Sequence, residues 1–180
     1  MRKFVLFLAP NTLLRLMKFT VLIICIVLSS LTIAQVSDDS LKVVMPETAN
    51  ADLGMIEPPA TFKPSDAFNG YLSIQNSSAI IMTLIKNSNY LKIDEGMTDE
   101  FFAKNKLNFI SKEKFVSDHG VKGIQYKFWF ELEGNKYVRY MVYAGDLSTT
   151  LWLNITYPKM LEELVEMEIL KSIKTITLNP

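Results

Sequence analysis

The chain holds a single cysteine and a single histidine, and these two scarcities exclude more chemistry than any motif present asserts. Zinc and copper centres draw on several thiolates or imidazoles, whereas His119 stands alone in the stretch Ser-Asp-His-Gly. It reads as a turn residue. The same lone imidazole is the only neutral-pH base for Ser-His or Cys-His nucleophilic chemistry, so that class of catalysis has no natural place here. Glycines are few and singly scattered, with neither a phosphate-binding loop nor a dinucleotide fingerprint. No cluster of basic residues exceeds a pair, which gives no electrostatic footprint for nucleic acid. No cofactor and no metal are expected.

What is present divides at Val36. Arg2, Lys3, Arg15 and Lys18 are the only charges before it; the remainder carries 15 basic residues against 19 acidic ones. Lys18, the apolar run from Phe19 to Leu28, and the small-residue stretch from Ser29 follow the positive, apolar and cleavable zones of a secretory signal peptide. Cleavage after Ala34 puts Thr32 and Ala34 at the small-side-chain positions and leaves Gln35 as the new terminus. The alternative is a retained anchor, for which the run falls short of the ~20 apolar residues a hydrocarbon layer requires. Met17 before Lys18 is a more natural start than Met1, since the preceding residues add only a weaker apolar stretch broken by Pro10. Cys25 sits behind the bulky Ile23 and Ile24, where a lipidation signal wants small residues. Cleavage thus leaves a body without cysteine, held by core packing alone. Contact with a membrane is expected only through an uncleaved signal segment.

Residues 35–57 read as an irregular leader with an edge strand from Leu41 to Met45. Regular patterning follows. Gly70 to Ile74 and Ala79 to Lys86 are β-rich runs around a polar Gln-Asn-Ser-Ser turn, the mark of a hairpin. Thr98 to Ile110 switches to helical period: Phe102, Ala103, Leu107 and Ile110 share a face, Thr98 caps, and Asp99 with Glu100 complement the helix dipole. Asp94, Glu95, Asp99 and Glu100 are read as a solvated helix start. Lys114 to Pro158 is strand material throughout and supplies four antiparallel strands. A two-residue loop at Gly134 and Asn135 would pair Phe130 with Arg139 and Phe128 with Met141 on one face, and Trp129 with Tyr140 on the other. Both faces are about half apolar, so the sheet needs cover on both sides. A second helix is expected from about Pro158 to Ile173, with Leu161, Leu164, Val165 and Leu170 as its apolar stripe, and Lys174 to Leu178 is read as a short final strand. Glu162, Glu163, Glu166 and Glu168 are read, like the first acidic group, as a solvated helix face. The sequons at Asn76 and Asn154 matter only in a eukaryotic secretory pathway.

This order of elements resembles a known family. Pro58, Pro59 and Phe62, an aromatic after glycine (Gly70, Tyr71), the strand from Ser77 to Ile85, a helix, a meander, the Tyr157-Pro158 helix start and a closing Leu170 to Ile176 are similar to the PsbP-like family over roughly Pro58 to Leu178. That family includes the extrinsic protein of the photosystem II oxygen-evolving complex and a nuclear-transport factor that binds the GTPase Ran. The resemblance implies an α+β fold, an α/β/α sandwich around a central antiparallel sheet, for residues 58–180. It also implies an accessory or binding role, and it transfers no functional residue. The expected function is a secreted or periplasmic, non-catalytic domain engaging a protein partner or a small ligand. The candidate binding residues are Trp129 with Tyr140, and Tyr137 with Arg139. The alternative is a carboxylate-only hydrolase of envelope glycans, which requires two acids about 5 to 10 Å apart in one cleft.

Overall fold

The computed structural model describes residues 55–178. The signal segment with its cut between Ala34 and Gln35, and the edge strand at Leu41 to Met45, lie outside the described residues. Strand β1 spans Lys63–Pro64, β2 Gly70–Ser73, β3 Ser78–Lys86, β4 Asn108–Val116, β5 Lys122–Leu132, β6 Asn135–Gly145 and β7 Thr149–Pro158. They form one seven-stranded sheet in the order β1-β2-β3-β7-β6-β5-β4, antiparallel throughout. Two short helices, α1 (Tyr90–Glu95) and α2 (Asp99–Lys104), link β3 to β4, and a 3-10 turn at Lys159–Leu161 leads into α3 (Glu162–Lys174). The hairpin at Gly70 and the four-strand meander match the sequence reading.

Strands β6 and β7 are buried along most of their length. Large β-branched and aromatic side chains occupy both parities, so each face demands a cover. On the first face Val138, Tyr140, Val142, Leu153 and Ile155 pack with Val165, Ile169 and Ile173 of α3. On the second face Phe102 of α2 stacks on Phe109 at 5.7 Å and meets the edge of Phe128 at 4.9 Å. Burying rings of this size is worth about 1.5–3 kcal/mol each. The two covers differ in size: a three-turn helix on one side, two single-turn pieces on the other.

Four expectations are corrected. The middle hairpin turns at Glu133 and Gly134, both with positive φ (51° and 77°), the requirement of a type I′ turn. Phe128 therefore faces Arg139, Phe130 faces Tyr137, and Trp129 faces Val138 while Lys127 faces Tyr140. The slip is two residues, so every side chain keeps its face. The helix expected over Thr98 to Ile110 stops at Lys104: Asn105 Nδ2 donates to the Phe101 carbonyl at 2.8 Å, Lys106 turns left-handed, and β4 begins at Asn108. Thr98 does cap it, accepting from the Phe101 N–H. The last helix begins at Glu162, because Pro158 is extended (ψ 131°) and still pairs with Tyr137 in the sheet. Its inner line then runs through Val165, Ile169 and Ile173, which leaves Leu164 outward at 76% exposure. The expected final strand is a single bridge between Thr177 and Met55.

Gly70 opens β2 with φ +140°, and a Cβ there would lie 1.9 Å from the Ile80 carbonyl oxygen. Gly70→Ala combines a left-handed backbone with a clash against the neighbouring strand. The expected loss is about 2 kcal/mol or more of unfolding free energy, read as a lower midpoint in urea.

Candidate binding site

The two helical covers are attached by the same device. On the first face Lys127, only 14% exposed at its side chain, places its ammonium 2.7 Å from Glu162 and in contact with Glu166. Tyr140 donates its hydroxyl to the same Glu166 carboxylate. On the second face Tyr126 donates to Asp94 at the end of α1, and Lys112 lies 2.6 Å from that carboxylate. Each clasp joins a tyrosine and a lysine of the sheet to an acid of a helix. The acids read as solvated helix ends, Asp94, Glu162 and Glu166, thus hold the covers down, whereas Asp99, Glu100, Glu163 and Glu168 are exposed.

Electrostatics follow from these contacts. Burial pushes the Asp94 carboxyl upward, but the Lys112 and Tyr126 hydrogen bonds outweigh it and hold its pKa below 3.8. Glu162 behaves alike under Lys127 and Lys159, held below 4.5. Burial and the adjacent carboxylates push the Tyr126 and Tyr140 hydroxyls upward, so both remain donors over the physiological range. Burial would lower Lys127, but Glu162 and Glu166 reverse that and hold it above 10.5.

The second face carries a different feature next to the β5–β6 turn. Arg139 is 6% exposed. Its Cζ stacks 4.4 Å from the centre of the Phe130 ring, and its Nε donates to Thr156 Oγ1 at 3.4 Å. Among the described residues no carboxylate pairs with it. Burial lowers its pKa to about 10, which leaves the guanidinium charged at neutral pH. Tyr137 stacks on Phe130 at 5.6 Å and closes the end of this corner. Along β7, register places Thr156 opposite Arg139, Asn154 opposite Met141 and Trp152 opposite Tyr143. Asn154 Oδ1 and Trp152 Nε1 are buried without a hydrogen-bond partner among the described residues, as is the Tyr157 hydroxyl on the first face.

Of the four candidate residues, Arg139 and Tyr137 meet at this corner through Phe130. Trp129 and Tyr140 lie on the opposite face and are not cross-strand partners: Trp129 is covered by Lys136 at 5.0 Å, and Tyr140 serves the α3 clasp. Sequence reasoning missed Thr156, Asn154 and Trp152. Their signal was the alternation in β7, where Leu151, Leu153, Ile155 and Tyr157 are interleaved with Thr150, Trp152, Asn154 and Thr156. Asn154, 2% exposed, is closed to glycosylation in the folded domain. His119 occupies the exposed turn between β4 and β5, its N–H on Ser117 Oγ at 3.3 Å.

No family model matches the chain, and no curated protein matches it in sequence. Among solved structures it is similar to LpqN of Mycobacterium tuberculosis, a protein involved in cell envelope biogenesis, with TM-score 0.61, 14% identity, and 79% of this chain and 94% of that one covered. It is also similar to CyanoP, the cyanobacterial PsbP of Synechocystis sp. PCC 6803, with TM-score 0.53, 6% identity, and 81% and 96% covered. At such identities the likeness is one of fold, and the fold is the PsbP-like one that the spacing of elements resembled.

The clasps set a pH window. Carboxylates held low stabilise the fold above their unfolded values and lose that contribution as pH falls through their folded ones; a lysine held high contributes until pH passes its folded value. Stability is therefore expected to be flat between about pH 5 and 10 and to fall on the acid side below about pH 4. Glu162→Gln should blunt that acid limb in a pH series of urea midpoints. Tyr140→Phe, which strips one donor from a partly buried carboxylate, should cost about 1–2 kcal/mol at pH 7.

Proposed function

We propose that this chain is an exported, non-catalytic accessory domain that acts at the cell envelope by binding a protein partner or a small ligand. The observation that carries this reading is the state of the carboxylates packed on the sheet. A glycan hydrolase needs one carboxyl with a raised pKa as general acid and a second across a cleft. Here Glu162 and Glu166 share one ammonium and Glu162 is displaced the opposite way, so the pair suits attachment of a helix and not proton transfer.

Two further points support the address. The zones before Val36 follow an export signal, and the similar fold of LpqN belongs to a protein involved in cell envelope biogenesis. Among the described residues no helix is long and apolar enough to cross a membrane.

Two measurements test the reading. Mass spectrometry of the exported protein should give Gln35 as its first residue; a mass retaining residues 17–34 would replace the cleaved form with an anchored one. Purified protein should release no sugar from envelope glycans above buffer background. Turnover that disappears in Glu166→Gln would establish the hydrolase instead.

A further inference from the structure

The polar stripe on the second face is not accounted for by packing. Arg139 is a buried cation whose only hydrogen bond to a described residue is the long one from Nε to Thr156, and stacking on Phe130 leaves its terminal nitrogens with donors to spare. Asn154 Oδ1 and Trp152 Nε1 follow on the same face of β7, each buried and without a partner among the described residues. Trp152, Asn154 and Thr156 are alternate residues of β7, about 6.5–7 Å apart, and Arg139 reaches from β6 to Thr156, so the guanidinium continues the line of the two unpaired groups. Buried donors, acceptors and charges are almost always paired. Two unpaired ones in line with a guanidinium that keeps donors to spare, beside the half-buried rings of Phe130 and Tyr137, are what a ligand with a charged head and a mixed body would complete.

We infer that this corner binds an amphipathic anion: a carboxylate or phosphate head on the Arg139 guanidinium, and an apolar body along the Phe130 and Tyr137 rings that carries polar atoms toward Asn154 and Trp152. The inference rests on the binding-domain reading and names its ligand class. Arginine suits the head because its planar donors take two oxygens of a carboxylate or phosphate at once. Access lies at the β5–β6 end, where Phe130 and Tyr137 are only half-buried.

The test uses the full chain with decanoate, decyl phosphate, methyl decanoate and acetate as probes, followed by calorimetry and by thermal melting. Decanoate or decyl phosphate should bind and raise the melting temperature; methyl decanoate, which lacks the charge, and acetate, which lacks the body, should bind at least about tenfold more weakly. The stronger of the two anions identifies the head group. Arg139→Met, of similar length and uncharged, should melt no lower than the wild-type chain without ligand, because an uncompensated buried charge has been removed, and should weaken binding of that anion at least about tenfold. Equal binding of methyl decanoate, undiminished binding by Arg139→Met, or no binding of either anion would overturn the inference. The wild-type comparison of charged and esterified probes decides the matter even if the variant fails to fold. Absence of binding leaves the non-catalytic reading to the glycan turnover assay, so failure of one is distinguishable from failure of the other.

Discussion

A sheet whose central strands are apolar on both faces has to be covered twice, and that requirement governs the rest of this molecule. Strands β6 and β7 bury nearly every side chain they carry, which neither a one-sided sheet nor a hairpin with one wet face would permit. The first cover is a helix long enough to bring its own apolar line. The second is built from two pieces of six residues each, too short to be stable as isolated helices. Their persistence depends on anchoring: side-chain caps from Asn89 and Thr98 at their starts, the Phe102 ring wedged against Phe109 and Phe128, and the Asp94 carboxylate gripped by Tyr126 and Lys112.

Charge on this domain therefore divides into two kinds. Most acidic and basic side chains are exposed. A few cross from helix to sheet, and in both clasps the sheet supplies a lysine and a tyrosine while the helix supplies the acid. This arrangement compensates the carboxylate without sinking it into a dry core, where desolvation would outweigh attraction. It also leaves the tyrosine ring to pack while its hydroxyl reaches the polar edge.

The faces of the sheet were legible in the sequence, and the register was not. Alternation alone assigns Trp129, Tyr140 and Val138 to one side and Phe128, Phe130, Tyr137 and Arg139 to the other, and a slip of two residues preserves that assignment. The position of the slip depended on which pair of residues enters positive φ. Glu133 does so, against the general preference for asparagine or glycine, which points instead to Gly134 and Asn135. The Thr98 helix was overextended for a related reason: Leu107 and Ile110 fit a helical period, but Lys106 reverses the chain, and a single left-handed residue overrides a periodic pattern. The clasps were illegible because acids near a helix end look alike until the lysine that meets them is placed by tertiary contact.

Arg139 is where local consistency breaks. Other buried polar groups are paired locally: Ser73 accepts from the Asn76 N–H, Ser78 donates to the Asn76 carbonyl, and Thr150 donates to the Ser88 carbonyl, while the Tyr157 hydroxyl on the first face has no partner among the described residues. A stack on Phe130 returns part of what desolvation costs a guanidinium, since cation–π attraction strengthens as water leaves. It leaves the terminal nitrogens without acceptors among the described residues. Methionine or leucine at the same position would fill the space and remove that cost, as buried ion pairs replaced by apolar side chains demonstrate. An arginine kept here, next to the Asn154 and Trp152 groups that lack partners among the described residues, breaks the local consistency that marks the rest of the sheet, and such breaks are where a functional constraint outweighs stability.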